Sequence, residues 1–85
     1  MKNISSRTYS ANDRITVAKA VSLMKTAHKY KSKVFISKEG MTLPAQHLAS
    51  LVSFFLTLKK GESFLVIAEG SDADAFLDRL QHQLQ

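Results

Sequence analysis

The side chains in this sequence best suited to act as nucleophile, proton carrier or metal ligand near neutral pH are three histidines, and they stand far apart, at His28, His47 and His82. No carboxylate or thiol motif accompanies them at ligand spacing, so a metal site is not expected. Cysteine is absent altogether, which removes disulfides and thiolate chemistry. No cofactor motif is present, and no cofactor is expected. His28 reads as a helix-end residue bonding terminal carbonyls, and His82 as a surface residue of the last helix. His47 stands near the start of a helix, where an imidazole can hold or receive an anion. Lys25, Lys29, Lys31 and Lys33 form a basic cluster, read as a solvated face because no RNA-binding signature or aromatic stacking platform accompanies it. No specific nucleic-acid partner is expected.

The elements that must position these residues follow from periodicity. Val17, Ala20, Val21, Met24, Ala27 and His28 recur at helical spacing, which predicts an amphipathic helix over 17–30 capped by Thr16, or by Asn12 and Asp13. The β-branched and aromatic group Val34-Phe35-Ile36, then Lys38-Glu39-Gly40 and Met41-Thr42-Leu43, predicts a β-hairpin. Gly40 supplies positive φ there, and Pro44 ends the second strand. Leu48, Leu51, Val52, Phe55 and Leu58 predict a second helix over 45–58, and Phe64 to Ala68 a buried strand. Ser71 is the expected N-cap of a last helix whose stripe is Ala73, Phe76, Leu77, Leu80 and Leu84. A loosely alternating strand over 3–9 completes the order β-α-β-β-α-β-α. Helices on one face of a four-stranded sheet give two layers around one core.

Eighty-five residues suffice for one folding unit, since a chain of this size buries roughly 60 to 65% of its unfolded surface. One domain over 1–85 is the expected organisation. The chain carries 12 Lys plus Arg against 7 Asp plus Glu, a net charge of +5 that favours acidic protein surfaces. No signal peptide or membrane anchor is read, membrane insertion is not expected, and a cytoplasmic location is.

This order of elements, with Asn12 before the first helix, Lys38-Glu39-Gly40 at the hairpin and Ala68-Glu69-Gly70 closing the last strand, resembles the HPr family. Those proteins are the small phosphocarriers of the phosphoenolpyruvate-dependent sugar phosphotransferase system. The resemblance implies an α+β open-faced β-sandwich, with a four-stranded antiparallel sheet and three helices on one face. In that family an Asn-Gly-Leu-His-x-Arg-Pro stretch enters the first helix, where the histidine takes phosphate and the arginine steadies it. Here the stretch reads Asn12-Asp13-Arg14-Ile15-Thr16-Val17-Ala18. Ile15 has no lone pair for a phosphoryl group, Val17 cannot make an arginine's bidentate contact, and Asp13 adds a repelling charge. His47 stands where Gram-positive members carry a regulatory serine, and Leu48 matches the family's exposed docking residue.

The resemblance therefore implies a binding or regulatory module, not an enzyme. It would meet phosphotransferase-system components or a transcription regulator through Arg14, Ile15, Thr16, Val17, His47, Leu48 and Leu51. The alternatives are an active carrier whose acceptor has moved to His47 or His28, and a subunit that self-associates as a homo-oligomer. For the last, strand alternation turns Phe35, Leu65 and Ile67 toward the open sheet face, with Tyr9 at its margin.

Overall fold

The computed structural model describes residues 3–10 and 16–84, with Leu84 described in its main chain only. The elements are β1 (Ile4–Ser10), α1 (Val17–Lys29), β2 (Lys33–Lys38), β3 (Met41–Pro44), α2 (Leu48–Thr57), β4 (Ser63–Glu69) and α3 (Ala73–Leu84). The order is the one that periodicity predicts. All strand pairs are antiparallel, and the sheet runs β1-β4-β2-β3.

Alternation along β4 sorts the two faces. Phe64, Val66 and Ala68 are buried against the helices, while Leu65 and Ile67 are half-buried on the other side. Register puts Phe35 beside Ile67, so it shares that outer face as expected. Tyr9 does not: it is buried, stacks on Phe64 with ring centroids 5.9 Å apart, and donates its hydroxyl to the Leu77 carbonyl at 2.7 Å. A loosely alternating strand leaves its parity open, and the phenol finds an acceptor only on the helix side. Tyr9 is therefore core and not margin.

The β2–β3 hairpin closes through Glu39 and Gly40, both at positive φ (51° and 80°), the backbone of a two-residue primed turn. Gly40 was expected there, and Glu39 shares the conformation. β3 ends at Pro44, whose missing N–H cannot extend the ladder.

Three helix details depart from the periodic reading. In α1 the buried residues are Ala20, Leu23, Thr26 and Ala27, whereas Val17 is exposed, so the buried stripe is rotated toward Leu23. Buried Thr26 is satisfied by Gln83, whose amide Nε2 donates to its hydroxyl at 2.7 Å. α2 begins at Leu48 rather than at 45, because the Ala45 N–H is held by the Val34 carbonyl at 2.9 Å. α3 begins at Ala73, and its first bond runs from the Phe76 N–H to the Asp72 carbonyl, so Ser71 lies a residue outside the cap position.

The Asp72 carboxylate ties the strand entry instead. It accepts the Ser32 hydroxyl and, at 2.7 Å, the Lys31 N–H. The Ser32 bond first, and the Lys31 N–H second, hold its pKa below the ordinary carboxylate value. A group with a depressed folded-state pKa contributes stability above its unfolded pKa, about 3.9, and loses it as pH falls through the folded value. Urea midpoints followed from pH 7 to pH 2 are thus expected to fall less steeply for Asp72→Asn than for the parent chain. Parallel curves would remove Asp72 from the acid response.

Candidate partner-binding surface

The two ends of the helix layer can be told apart by what touches what. α1 starts beyond the Ser10 end of β1, the end of the sheet where Tyr9 stacks on Phe64. Phe54 and Phe55, in the second half of α2, pack edge-on against the same Phe64 at 6.1 and 5.7 Å. The start of α2 lies at the other end, where His28, near the close of α1, hydrogen-bonds the Gln46 carbonyl at 3.1 Å. α1 and α2 therefore run in opposite directions across the sheet, and the last turn of α2 lies toward the first turn of α1.

At that shared end the first turn of α1 is capped as predicted, with the Thr16 hydroxyl accepting the Lys19 N–H at 3.2 Å. Val17 is 58% exposed and Leu56, on α2, is 67% exposed. Leu56 is a surface residue that periodicity missed: α2 carries no charge from Leu48 to Thr57, and only the small hydroxyl residues Ser53 and Thr57 mark the outward side on which it lies. Leu48 is 37% exposed, at the other end of the same helix. Leu51 is fully buried and is corrected to core, on the side of α2 that carries Phe54 and Phe55 into the same cluster. Arg14 and Ile15 lie outside the described residues.

Neither candidate histidine reaches the first turn of α1. A rise of ~1.5 Å per residue puts His28 roughly 16 Å along the helix from Val17, and His47 follows the Gln46 that His28 contacts. A carbonyl only accepts, so His28 donates from Nε2, and in the neutral ring its lone pair is on Nδ1. It bonds a carbonyl of the α2 approach rather than those of its own helix end. His47 occupies the N-cap position of α2, exposed and without a side-chain cap bond. His82 is exposed on the last turn of α3.

The electrostatics of this face are one-sided. Residues 14–38 hold seven basic side chains and no acidic one. Among the described residues Arg7 pairs with Asp78 at 2.9 Å and Lys38 with Glu62, both away from α1. The face is thus a helix pair with exposed aliphatic residues, bordered by the lysines of α1, Lys19, Lys25 and Lys29. No described cluster of His, Asp or Glu has the makings of a metal site.

An antiparallel four-stranded sheet covered on one side by three helices, in the order β-α-β-β-α-β-α, is the architecture of the small bacterial phosphocarriers. The family model for the HPr component of the phosphotransferase system, described as its phosphorylation site, matches residues 11–85. The chain belongs to the HPr family, whose members carry phosphoryl groups and are not themselves catalysts. Among solved structures, HPr from Bacillus anthracis superposes with a TM-score of 0.82 at 23% identity, covering 96% of this chain and 98% of that one. The histidine-containing phosphocarrier of Mycoplasma gives 0.81 at 18%, covering 93% and 90%. The Bacillus subtilis catabolite repression protein Crh, reported as a swapped dimer, gives 0.73 at 27%, covering 84% and 79%. A sequence search of curated proteins finds no match.

Proposed function

We propose that this HPr-family protein works as a protein-binding regulatory module of the sugar phosphotransferase system, without carrying phosphate at position 15. The observation that supports this reading most directly is chemical. The positions that the family gives to its phosphate-taking histidine and steadying arginine are Ile15 and Val17, and Val17 and Leu56 both stand exposed as hydrocarbon. Aliphatic groups held in water are suited to docking and not to phosphoryl transfer. The lysine border favours an acidic partner surface, either a phosphotransferase-system component or a transcription regulator. No described helix is long and apolar enough to cross a membrane, and the reading places the protein in the cytoplasm, as one domain.

Incubation with phosphoenolpyruvate and the first enzyme of the system is expected to leave the intact mass unchanged. One added phosphate overturns the reading. If that label is acid-labile and disappears in His47→Ala, the relocated-acceptor alternative takes its place. The separation of His28 and His47 from the first turn of α1 speaks against that alternative: His28 lies at the close of α1, away from any helix start, and His47, at the start of α2, does not have the family's arginine position beside it.

A further inference from the structure

We propose that the open face of the sheet is where two copies of this chain meet. Register places the outward residues in three rows across the strands. Ile4, Glu69 and Lys33 form the first, Ser6, Ile67, Phe35 and Pro44 the second, and Thr8, Leu65, Ser37 and Thr42 the third. Ile67, Phe35 and Pro44 are consecutive across three strands, with Leu65 two residues from Ile67 along β4 and Ile4 diagonal to it on β1, so the aliphatic and aromatic groups are contiguous. Ile4 is 69% exposed.

Charge decides which partner fits. In a chain of net charge +5, the three rows hold one base and one acid, Lys33 and Glu69, side by side in register. The excess positive charge lies elsewhere, most densely on α1. A second copy, itself strongly basic, can approach through this face without bringing like charges together, which it cannot do through the helix face. An acidic partner gains nothing here from the chain's net charge, whereas a like-charged copy finds its neutral approach.

Area and shape agree with the same occupant. Strand spacing of ~4.8 Å and a rise of ~3.3 Å per residue give the face roughly 19 by 20 Å. With side-chain relief, two copies then bury on the order of 1,000 Å² in total, the lower end for a specific contact and suited to micromolar affinity. A groove of about 470 Å³ lies at one end of the face, walled by Thr8, Ser37 and Leu65 and, at its rim beyond the three rows, by Lys38, Glu39 and Glu62, while the Ile4 knob stands at the other end. A two-fold axis lying between the sheets, across the strands, exchanges those ends. It lays Ile67 over Leu65 of the other copy and turns each Ile4 toward the other's groove, the self-complementarity that an isologous interface requires.

Sedimentation velocity between ~1 and ~300 µM tests this. The weight-average mass is expected to rise from one chain toward two. Ile67→Lys or Leu65→Lys, each outward-facing, is expected to shift the rise at least tenfold upward in concentration, and Val17→Ser to leave it in place. Amide shifts of the unmodified chain on dilution keep the test independent of whether the lysine variants fold, and are expected at Phe35, Leu65 and Ile67. A monomer throughout the range overturns the proposal. So do dilution shifts confined to α1 and α2, or a dimer that survives days of dilution, as one with exchanged strands would.

Discussion

Ile15→His combined with Val17→Arg is expected to turn a chain that takes no phosphate into one that takes a single phosphate from the system's first enzyme. Intact mass reads the outcome, and the label is expected to be acid-labile. The first turn of α1 retains what an anion needs: the Thr16 hydroxyl caps the Lys19 N–H, and the other first-turn amides have no partner within the helix. What position 15 lacks is a ring nitrogen that can attack phosphorus, and what position 17 lacks is a planar cation that can hold the transferred dianion. Hydrogen bonds to charged groups are worth about 1.5–3 kcal/mol, so Ile15→His alone is expected to label roughly tenfold to a hundredfold more slowly than the pair. Adding Asp13→Gly should speed labelling further by removing a like charge. If the folded double variant stays unlabelled, the missing phosphate chemistry has a cause beyond these positions.

The second large effect lies at the other end of the sheet. Gly70 donates its N–H to the Asn3 carbonyl at 2.8 Å and accepts from Ala73 at 3.3 Å, so its backbone is held from both sides. A Cβ built there stands 2.6 Å from the Ser32 Oγ and 2.8 Å from the Ser32 Cα. The hydroxyl cannot swing aside freely because Asp72 accepts its hydrogen bond, and the Cα cannot move without β2. Gly70→Ala is therefore expected to cost roughly 2–4 kcal/mol in urea unfolding, from overpacking and backbone displacement together. A cost below ~0.5 kcal/mol, the range of an ordinary surface substitution, would show that the strand ends part easily. Gly70 is at the sheet end opposite Val17 and Leu56, so partner affinity per folded molecule should not change.

Much of the architecture was legible from residue order, and the reasons are local. Val34-Phe35-Ile36, a Glu39-Gly40 turn and Pro44 leave few backbone alternatives to a hairpin that ends where it does. Alternation along β4 assigns Phe64, Val66 and Ala68 inward and Leu65 and Ile67 outward, because a strand's side chains repeat every second residue. The missing histidine at the family position is likewise a fact of sequence, and the family assignment followed from the same landmarks.

Packing selects which part of each face is used. α1 has apolar groups over more than half its circumference, so periodicity allows a stripe through Val17 or one through Leu23. The position of α2 and α3 buries Leu23 and leaves Val17 in water. α2 has no charged residue to mark its outside, and only packing against Phe64 and the sheet shows that Leu51 is core and Leu56 is surface. Asp72 is an acid at a helix start in the sequence, and only the approach of β2 makes it the ligand of Ser32 and Lys31. The elements, their order and the chemistry absent from position 15 could be read from residue types alone, because backbone preference and side-chain type are local properties. The choice of surface belonged to the fold, because burial depends on which neighbours arrive from far along the chain.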